Sequence, residues 1–171
     1  MTLKVLGRDP LYLGTEREMC QYLDKVFSPH PNSAPFVDVA LQVVDGVRVP
    51  YNAMSVPDNV LSISVDHSVG YGGVLWYCDG QLAQRISESA GVDVASHPWV
   101  SLNPSPPESD PRVLADPDCP TYFNRISALP LPVIRATVEE YFHAGTGFRP
   151  TRIQWVKGHF TGELYEEEPG V

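Results

Sequence analysis

The sequence predicts a single α+β domain in which an antiparallel β-sheet is covered on one face by helices. Residues 15–27 and 132–144 carry apolar side chains at helical spacing. Residues 36–44 and 60–66 largely alternate apolar with polar side chains, as strands with one buried face do. A length of 171 residues, with 43% apolar and 19% charged residues, suits one domain over residues 1–171 with one core.

The first helix is predicted over residues 15–27. Thr15 and Glu18 have the spacing of a capping box, in which each side chain binds a free amide at the helix start. Prolines at positions 29 and 31 then prevent the helix from continuing. The apolar side chains between these signals form one stripe, which we expect to face the core: Met19, Tyr22, Leu23, Val26 and Phe27.

Strand patterns dominate the middle of the chain. Residues 36–44 are predicted to form a strand, followed by a turn and a short returning strand over residues 45–49. Residues 60–66 and 73–78 are predicted to form a β-hairpin. The glycine cluster Gly70-Tyr71-Gly72-Gly73 is interpreted as its turn, because hairpin turns favour glycine. Further candidate strands are residues 82–86 and 121–126.

A helix, a glycine stop and a strand are predicted near the C-terminal end of the chain. Pro130 suits the start of the helix over 132–144, and Gly145 suits a left-handed cap at its end. A β-branched and aromatic run over residues 152–157 predicts the strand. Because so short a connection returns the strand antiparallel to the helix, we expect Trp155 in the core, as we do Trp76 of the hairpin.

Two segments lack a regular pattern. Residues 98–120 contain seven of the 17 prolines and are predicted to form a proline-rich loop, and loops of this length are often functional. Residues 163–171 are predicted to form an acidic tail. The sequence contains no apolar run of about eighteen residues and no signal-peptide pattern at its start, so neither a membrane partner nor secretion is expected.

The chain lacks the residue patterns of catalytic and metal sites. Its five histidines form no HxH or HExxH pattern and its three cysteines are far apart, so no metal and no cofactor is predicted. Asp66-His67 could be half of a catalytic pair and Cys78 a nucleophile. A solvated turn and a small core residue are the more ordinary interpretations. We therefore predict no catalytic residue, and reduced cysteines favour the cytoplasm.

The charge balance narrows the classes of partner. The net charge is −9, with 12 lysines and arginines against 21 aspartates and glutamates, and no basic cluster occurs. Direct binding to nucleic acid is not expected, because such proteins normally present a basic face. Acidity most often serves solubility. The more specific hypothesis is a protein partner with a basic surface, attracted by complementary charge.

Two stretches carry a family pattern. LSISVDHSVGYGGVLWYCDG combines a strand ending in V-D with a glycine-containing turn and an aromatic strand. LPLPVIRATVEEYFHAGTGFRPTRIQW combines an (I/L)PL helix start, a helix with a Glu-Tyr pair, and G-x-R-P-T-x-(I/V)-x-W. Both resemble the Imm1 family of immunity proteins from bacterial polymorphic toxin systems. The second stretch matches at Pro130, Leu131, Val133, Arg135, Ala136, Val138, Glu140, Tyr141, Arg149, Pro150, Thr151, Ile153 and Trp155.

The resemblance covers residues 60–80 and 125–157 and, loosely, the first helix, and it does not place residues 82–124. It implies a protein that is no enzyme and that neutralises a cognate toxin, often a nucleic-acid deaminase, by binding it. The matching residues are expected to determine the fold, because the toxin-contacting surface varies with the toxin. The acidity fits independently, since a deaminase that accepts DNA or RNA presents positive charge near its active site.

The partner-binding surface is predicted in loops, because the core uses the faces of helices and strands. Its candidate residues combine aromatic anchors with acids that lack nearby bases: Asp66, Tyr71, Asp79, Trp99, Asp116 and Asp118. Two alternatives stay open: a small cytoplasmic enzyme or ligand-binding α+β domain of unknown substrate, and an acidic adaptor outside toxin systems. A neighbouring gene for a secreted protein with an HxE…PCxxC signature would favour the toxin inhibitor.

Overall fold

The computed structural model describes residues 2–29, 35–44 and 58–165. Ten strands are found in this part of the chain: β1 (Thr2–Val5), β2 (Leu11–Leu13), β3 (Phe36–Val44), β4 (Asn59–Asp66), β5 (Tyr71–Cys78), β6 (Trp99–Leu102), β7 (Leu114–Asp116), β8 (Thr121–Tyr122), β9 (Leu129–Pro130) and β10 (Gln154–Lys157). The helices are α1 (Glu16–Phe27), α2 (Gly80–Ala90), α3 (Val92–Ala95) and α4 (Leu131–Ala144), with a 3-10 turn at Arg125–Ser127.

Eight of the described strands form one antiparallel sheet, and β7 and β8 form a separate two-stranded sheet. The order across the large sheet is β10-β6-β5-β4-β3-β1-β2, and β9 pairs with the start of β5. The β4–β5 hairpin is the centre, where Ser64 lies opposite Gly73 and Asp66 opposite Tyr71. The sheet is therefore built outward from the hairpin that the sequence predicts, and the α+β prediction is confirmed.

One face of the sheet is covered by the helices and holds the main core. Alternate residues of the central strands, such as Leu61, Ile63 and Trp76, are fully buried against α1, α2 and α4. Helix α1 begins with the predicted capping box, because Thr15 accepts a hydrogen bond from the amide of Glu18 and the Glu18 side chain bonds back. Covering one face with helices leaves the second face of the sheet for other elements or for solvent.

The glycine cluster is not a turn as a whole, so that interpretation was wrong in part. Gly70 has a left-handed φ of 73° and ends the turn, whereas Tyr71, Gly72 and Gly73 lie within β5. A Cβ on Gly72 would lie 2.2 Å from the Ser64 carbonyl oxygen, and one on Gly73 would lie 2.4 Å from the Phe123 ring. Gly72 and Gly73 therefore allow other groups to approach the strand closely, which explains glycine within a strand as positive φ explains it within a turn.

Several other expectations are corrected. Residues 82–86 belong to helix α2. At the start of this helix, the Gly80 amide donates a hydrogen bond to the Asp79 carboxylate at 2.7 Å. The segment 98–120 is only partly a loop, since Trp99–Leu102 forms β6 and Leu114–Asp116 forms β7. Of residues 121–126, only Thr121–Tyr122 is a strand, and the 3-10 turn follows. Strand and helix patterns cannot be distinguished over such short windows, because neither period completes enough repeats.

The C-terminal expectations have mixed outcomes. Helix α4 ends at Gly145 with a left-handed φ of 59°, as predicted. The predicted tail begins in ordered structure, because Leu164 pairs with Gly158 and Tyr165 contacts His159. The predicted turn and strand over 45–49 and residues 166–171 of the predicted tail lie outside the described residues.

The turn after α4 is anchored by Glu140. Its carboxylate accepts hydrogen bonds from the Thr151 amide at 2.7 Å, the Thr151 hydroxyl at 2.8 Å and the Arg152 amide at 3.0 Å. Burial raises the pKa of Glu140, but these hydrogen bonds outweigh burial, so the pKa is below its ordinary value. The Arg149-Pro150-Thr151 segment is thereby fixed against the last turns of α4.

Glu140→Gln is expected to lower the free energy of unfolding by about 1–2 kcal/mol at neutral pH, since charge-assisted hydrogen bonds are lost. Because the pKa of Glu140 is lower in the folded than in the unfolded protein, ionised Glu140 stabilises the fold at pH values above its unfolded-state pKa. This stabilisation is lost as the pH falls through the folded-state pKa. The difference between variant and parent should therefore shrink in acid, as measured by urea unfolding. Glu139→Gln is the control, because Glu139 only pairs with Arg135 at the surface. A difference that does not depend on pH would contradict the assignment.

Candidate functional site: an acidic cleft on the second sheet face

The second face of the sheet is only partly covered. Residues of the 103–128 segment form a small second core there, in which Val113 and Phe123 pack against Leu75 and Val100. Beside this core lies a cleft of about 590 Å³, whose floor is the outward side of β3, β4 and β5. Its walls are the β7–β8 connection and the loop after β10. We call this cavity the acidic cleft, and its lining residues include Asp38, Ser62, Ser64, Tyr77, Asp79, Asp116, Asp118 and Phe160.

Four aspartates line the acidic cleft, and each is held by a different element. Asp38 lies on β3 and accepts a hydrogen bond from the Ser64 hydroxyl at 3.3 Å. Asp79 is the N-cap of α2. Asp116 ends β7 and accepts from the amide of Asp118 at 2.9 Å, which fixes the turn between β7 and β8. No lysine, arginine or histidine occurs among the described residues that line the cleft.

The pKa of Asp38 shows that partial burial and the neighbouring acids disfavour a negative charge in the cleft. Its pKa is raised above the ordinary value, first because burial disfavours the charged form and then because of the negative charges of Asp116 and Asp118. The hydrogen bond from Ser64 opposes this increase without cancelling it. A bound cation would relieve the repulsion among these carboxylates, so the arrangement is suited to bind a positively charged group.

Aromatic side chains flank the acids. Phe160 is 63% exposed, and its ring meets the ring of Tyr77 edge to face with centroids 4.8 Å apart. An exposed phenylalanine beside charged groups is the kind of residue that anchors protein interfaces, because burying its ring contributes affinity while the acids orient the partner. The cleft therefore combines charge with an exposed apolar edge.

Comparison with known families identifies the chain. The family model described as "Immunity protein Imm1" matches residues 7–157. The chain belongs to the Imm1 family. It is therefore an immunity protein against a toxin, and the family resemblance predicted from the sequence is confirmed. No curated protein and no solved structure matches the chain.

Three of the six predicted partner-binding residues of this Imm1 chain come together in the acidic cleft: Asp79, Asp116 and Asp118. Asp79 is distant in sequence from Asp116 and Asp118, because helices α2 and α3 and strand β6 lie between them along the chain. The β7–β8 turn folds back over the sheet beside the start of α2, so that the three carboxylates share one cavity.

The other three predicted residues lie elsewhere. Asp66 ends β4, where its carboxylate accepts hydrogen bonds from the amide and hydroxyl of Ser68, at 2.8 and 2.6 Å. Tyr71 is half-buried in β5 beside the second core instead of standing at the hairpin tip. Trp99 is half-buried in β6 on the helix-covered side, and its indole donates to the carbonyl of Val94 at 2.8 Å. Each side chain already has a structural role.

Sequence reasoning missed Asp38 and Phe160. Asp38 lies on the outward side of β3 and is the one charged residue of that strand, which is the one signal that could have drawn attention to it. Phe160 follows the last strand and carries no pattern of its own. Both enter the cleft only because the pairing of β3 with β4 and the return of the chain after β10 bring them beside the other acids.

Neither of the two catalytic candidates considered from the sequence has the contacts or the ionisation that its role would need. His67 contacts the carbonyl of Val26 and not Asp66, so the two residues are not a catalytic pair. Burial raises the pKa of Cys78 to about 11, which keeps the thiol protonated at neutral pH and unsuited as a nucleophile. No group of potential metal ligands is found within residues 2–29, 35–44 and 58–165. In the same ranges, no helix has the length and apolar character to span a membrane.

Proposed function

We propose that this immunity protein binds and neutralises a cognate nucleic-acid deaminase toxin through the acidic cleft, by protein contact and without catalysing a reaction. The protein would act in the cytoplasm of the cell that makes the toxin. The partner would present lysine or arginine side chains to the cleft and an apolar patch to Phe160. The observation that carries this proposal is the cleft itself, with four aspartates and no base among its described lining residues.

The choice of a deaminase rests on charge complementarity. Enzymes that accept DNA or RNA hold the phosphate backbone with basic side chains beside the active site. An inhibitor that covers such a surface benefits from carboxylates that replace the phosphates. The net charge of −9 adds long-range attraction to the local contacts, and such attraction mainly raises the association rate.

A second candidate is binding of a small organic cation in the same cleft. It is favoured by the raised pKa of Asp38, because carboxyl groups with perturbed pKa values in cavities are typical of ligand sites. The two candidate functions differ in which aspartates the ligand or the toxin would need for binding. A small ligand would depend on Asp38, which the Ser64 hydroxyl holds on the floor of the cleft, whereas a toxin surface would depend on the acids outside the sheet, Asp79 and Asp118. All three side chains are exposed.

We expect the combined variant Asp79→Asn, Asp116→Asn and Asp118→Asn to slow association with the toxin by about tenfold and to reduce its salt dependence. Asparagine keeps the cap of α2 and the acceptor of the β7–β8 turn, so only charge is removed. The measurement is association kinetics at ionic strengths of about 0.01 and about 0.15 M with the deaminase domain encoded beside this gene.

The matched control removes three acids away from the cleft: Asp9→Asn, Glu16→Gln and Glu88→Gln. These side chains are exposed in the β1–β2 bend, on α1 and on α2. The control should retain most of the association rate, although the net charge is the same as in the cleft variant. Equal slowing in both variants would mean that only the overall charge matters, and unchanged kinetics in both would reject the acidic cleft as the binding surface.

A further inference from the structure

Arg149 lies among the protein's tryptophans, and none of the ion pairs found among the described residues includes it. The centre of its guanidinium group is 4.1 Å from the ring centroid of Trp99, 5.9 Å from that of Trp155 and 6.0 Å from that of Trp76. The sequence contains three tryptophans, so all of them surround this one side chain. Such contacts attract a cation to the electron-rich ring faces and hold it in place.

The three indole rings are fixed by their own hydrogen bonds. The indole N–H of Trp76 donates to the carbonyl of Gly147 at 3.1 Å, and that of Trp155 to the carbonyl of Pro150 at 2.8 Å. Trp99 donates to Val94 at 2.8 Å. Each indole N–H is therefore already used in a hydrogen bond. Among the described residues of this cluster, the guanidinium of Arg149 is the cationic group that a ligand can contact.

No carboxylate of the described residues forms an ion pair with Arg149. The Nη1 atom of Arg149 is buried without a hydrogen-bond partner in the part of the chain that the structure describes. Glu140, an acid of the adjoining helix, is bonded to Thr151 and Arg152 instead. Burial lowers the pKa of Arg149, which reflects the cost of a charge held among apolar rings.

A cavity of about 530 Å³ opens beside this group, and we call it the arginine cavity. Arg149 is the one charged residue among its described lining residues, which otherwise include Trp76, Ile86, Val94, Phe148, Ile153 and Trp155. The cavity lies at β10, which is the edge strand of the sheet, and Phe148 beside it is 38% exposed. A site at a sheet edge with an exposed aromatic residue is accessible to the side chain of another protein.

We propose that the arginine cavity binds a carboxylate side chain, an aspartate or a glutamate, of the partner toxin. Arg149 is one of the residues that match the Imm1 pattern and are expected to determine the fold, so it would have a binding role in addition to that structural one. The carboxylate would pair with the guanidinium, and its methylene groups would contact the apolar lining. An arginine–carboxylate pair desolvated by a partner is stronger than one in water. The chemistry of the site stands on the contacts described above, and only the identity of the partner rests on the proposed function.

The chemistry can be tested on the isolated protein. Because all three tryptophans surround Arg149, tryptophan emission reports on this site. Titration with hexanoate should give a saturable change in emission, and hexanamide should give none. Arg149→Met should weaken hexanoate binding by about tenfold or more, and Arg149→Lys by less, which keeps the test valid if the methionine variant folds poorly. Equal responses to hexanoate and hexanamide, or equal responses in parent and variants, would overturn the proposal.

The partner is tested by dissociation kinetics with the toxin domain. Arg149→Met should speed dissociation of the toxin by about tenfold and Arg149→Lys by less, and both should leave the association rate unchanged. Bound toxin should abolish the hexanoate response. Arg152→Met is the control, because Arg152 is exposed and does not line the cavity. Normal dissociation of both Arg149 variants would reject the carboxylate contact while the acidic-cleft result still decides the proposed function.

One rival source of the carboxylate is the chain itself. The combined variant Glu166→Gln, Glu167→Gln and Glu168→Gln in the full chain should leave hexanoate affinity unchanged if the toxin supplies the carboxylate. Tighter hexanoate binding in that variant, together with toxin dissociation that is independent of Arg149, would assign the cavity to these glutamates and overturn the proposal.

Discussion

Trp76→Ala is expected to lower the free energy of unfolding by about 3–5 kcal/mol, the cost of deleting a large buried aromatic side chain. Trp76 is 0% exposed and is among the largest fully buried side chains. Its ring joins β5 to the turn after α4 through the hydrogen bond to Gly147, and it forms part of the arginine cavity. Urea unfolding monitored by circular dichroism measures the change without relying on tryptophan emission.

Trp155→Ala is the matched comparison for Trp76→Ala. Trp155 is only half-buried on the edge strand β10, although the sequence predicts it in the core with Trp76. Its loss should cost clearly less, because fewer contacts are removed and water can fill part of the space. Equal costs for the two substitutions would contradict the difference in burial between the central strand and the edge.

Gly72→Ala is expected to destabilise the protein by about 3 kcal/mol, the upper end for overpacking a close contact. An added methyl group would lie 2.2 Å from the Ser64 carbonyl oxygen and 2.6 Å from the Cδ1 atom of Ile134. The carbonyl belongs to the neighbouring central strand and cannot move without disturbing the pairing of β4 with β5. Thermal and urea unfolding measure the change.

Alanine substitutions at Gly70 and Gly73 distinguish backbone strain from steric overlap as the cause of destabilisation. Gly70→Ala meets nothing within 4 Å but must adopt a φ of 73°, so its cost of about 1–2 kcal/mol reflects backbone strain alone. Gly73→Ala would contact the ring of Phe123 at 2.4 Å on the opposite face. It should therefore loosen the 103–128 segment over the acidic cleft. A cost for Gly72→Ala no greater than that for Gly70→Ala would reject the close approach of α4 to the sheet.

Elements whose signals are local were predictable from the sequence. Helix α1 combines a capping box with an apolar stripe, and α4 lies between a proline start and a glycine end. Strands β3 and β4 show alternation over enough residues to identify the period. Residues 82–86 of helix α2 are predicted as a strand because Asp79-Gly80 suits a hairpin turn as well as a helix start. Only the following turns of helix distinguish the two.

The acidic cleft was predictable only in part. Acids without nearby bases drew attention to Asp79, Asp116 and Asp118, and these three share the cavity. Trp99 is predicted at the surface because it lies at the edge of the proline-rich segment, but a proline-rich composition does not determine whether a tryptophan is exposed. Pairing of β6 with β5 and β10 turns its ring toward Arg149 on the helix-covered side.

The sequence by itself determined the fold class, the Imm1 family and the excess of negative charge, because each is carried by composition or by residues close together in the chain. The tertiary structure alone decided that Asp38 joins the acids of the β7–β8 turn and that Arg149 meets all three tryptophans. Both sites join residues from separate elements. Their assembly depends on strand order and on which face each segment covers, and no local pattern encodes either.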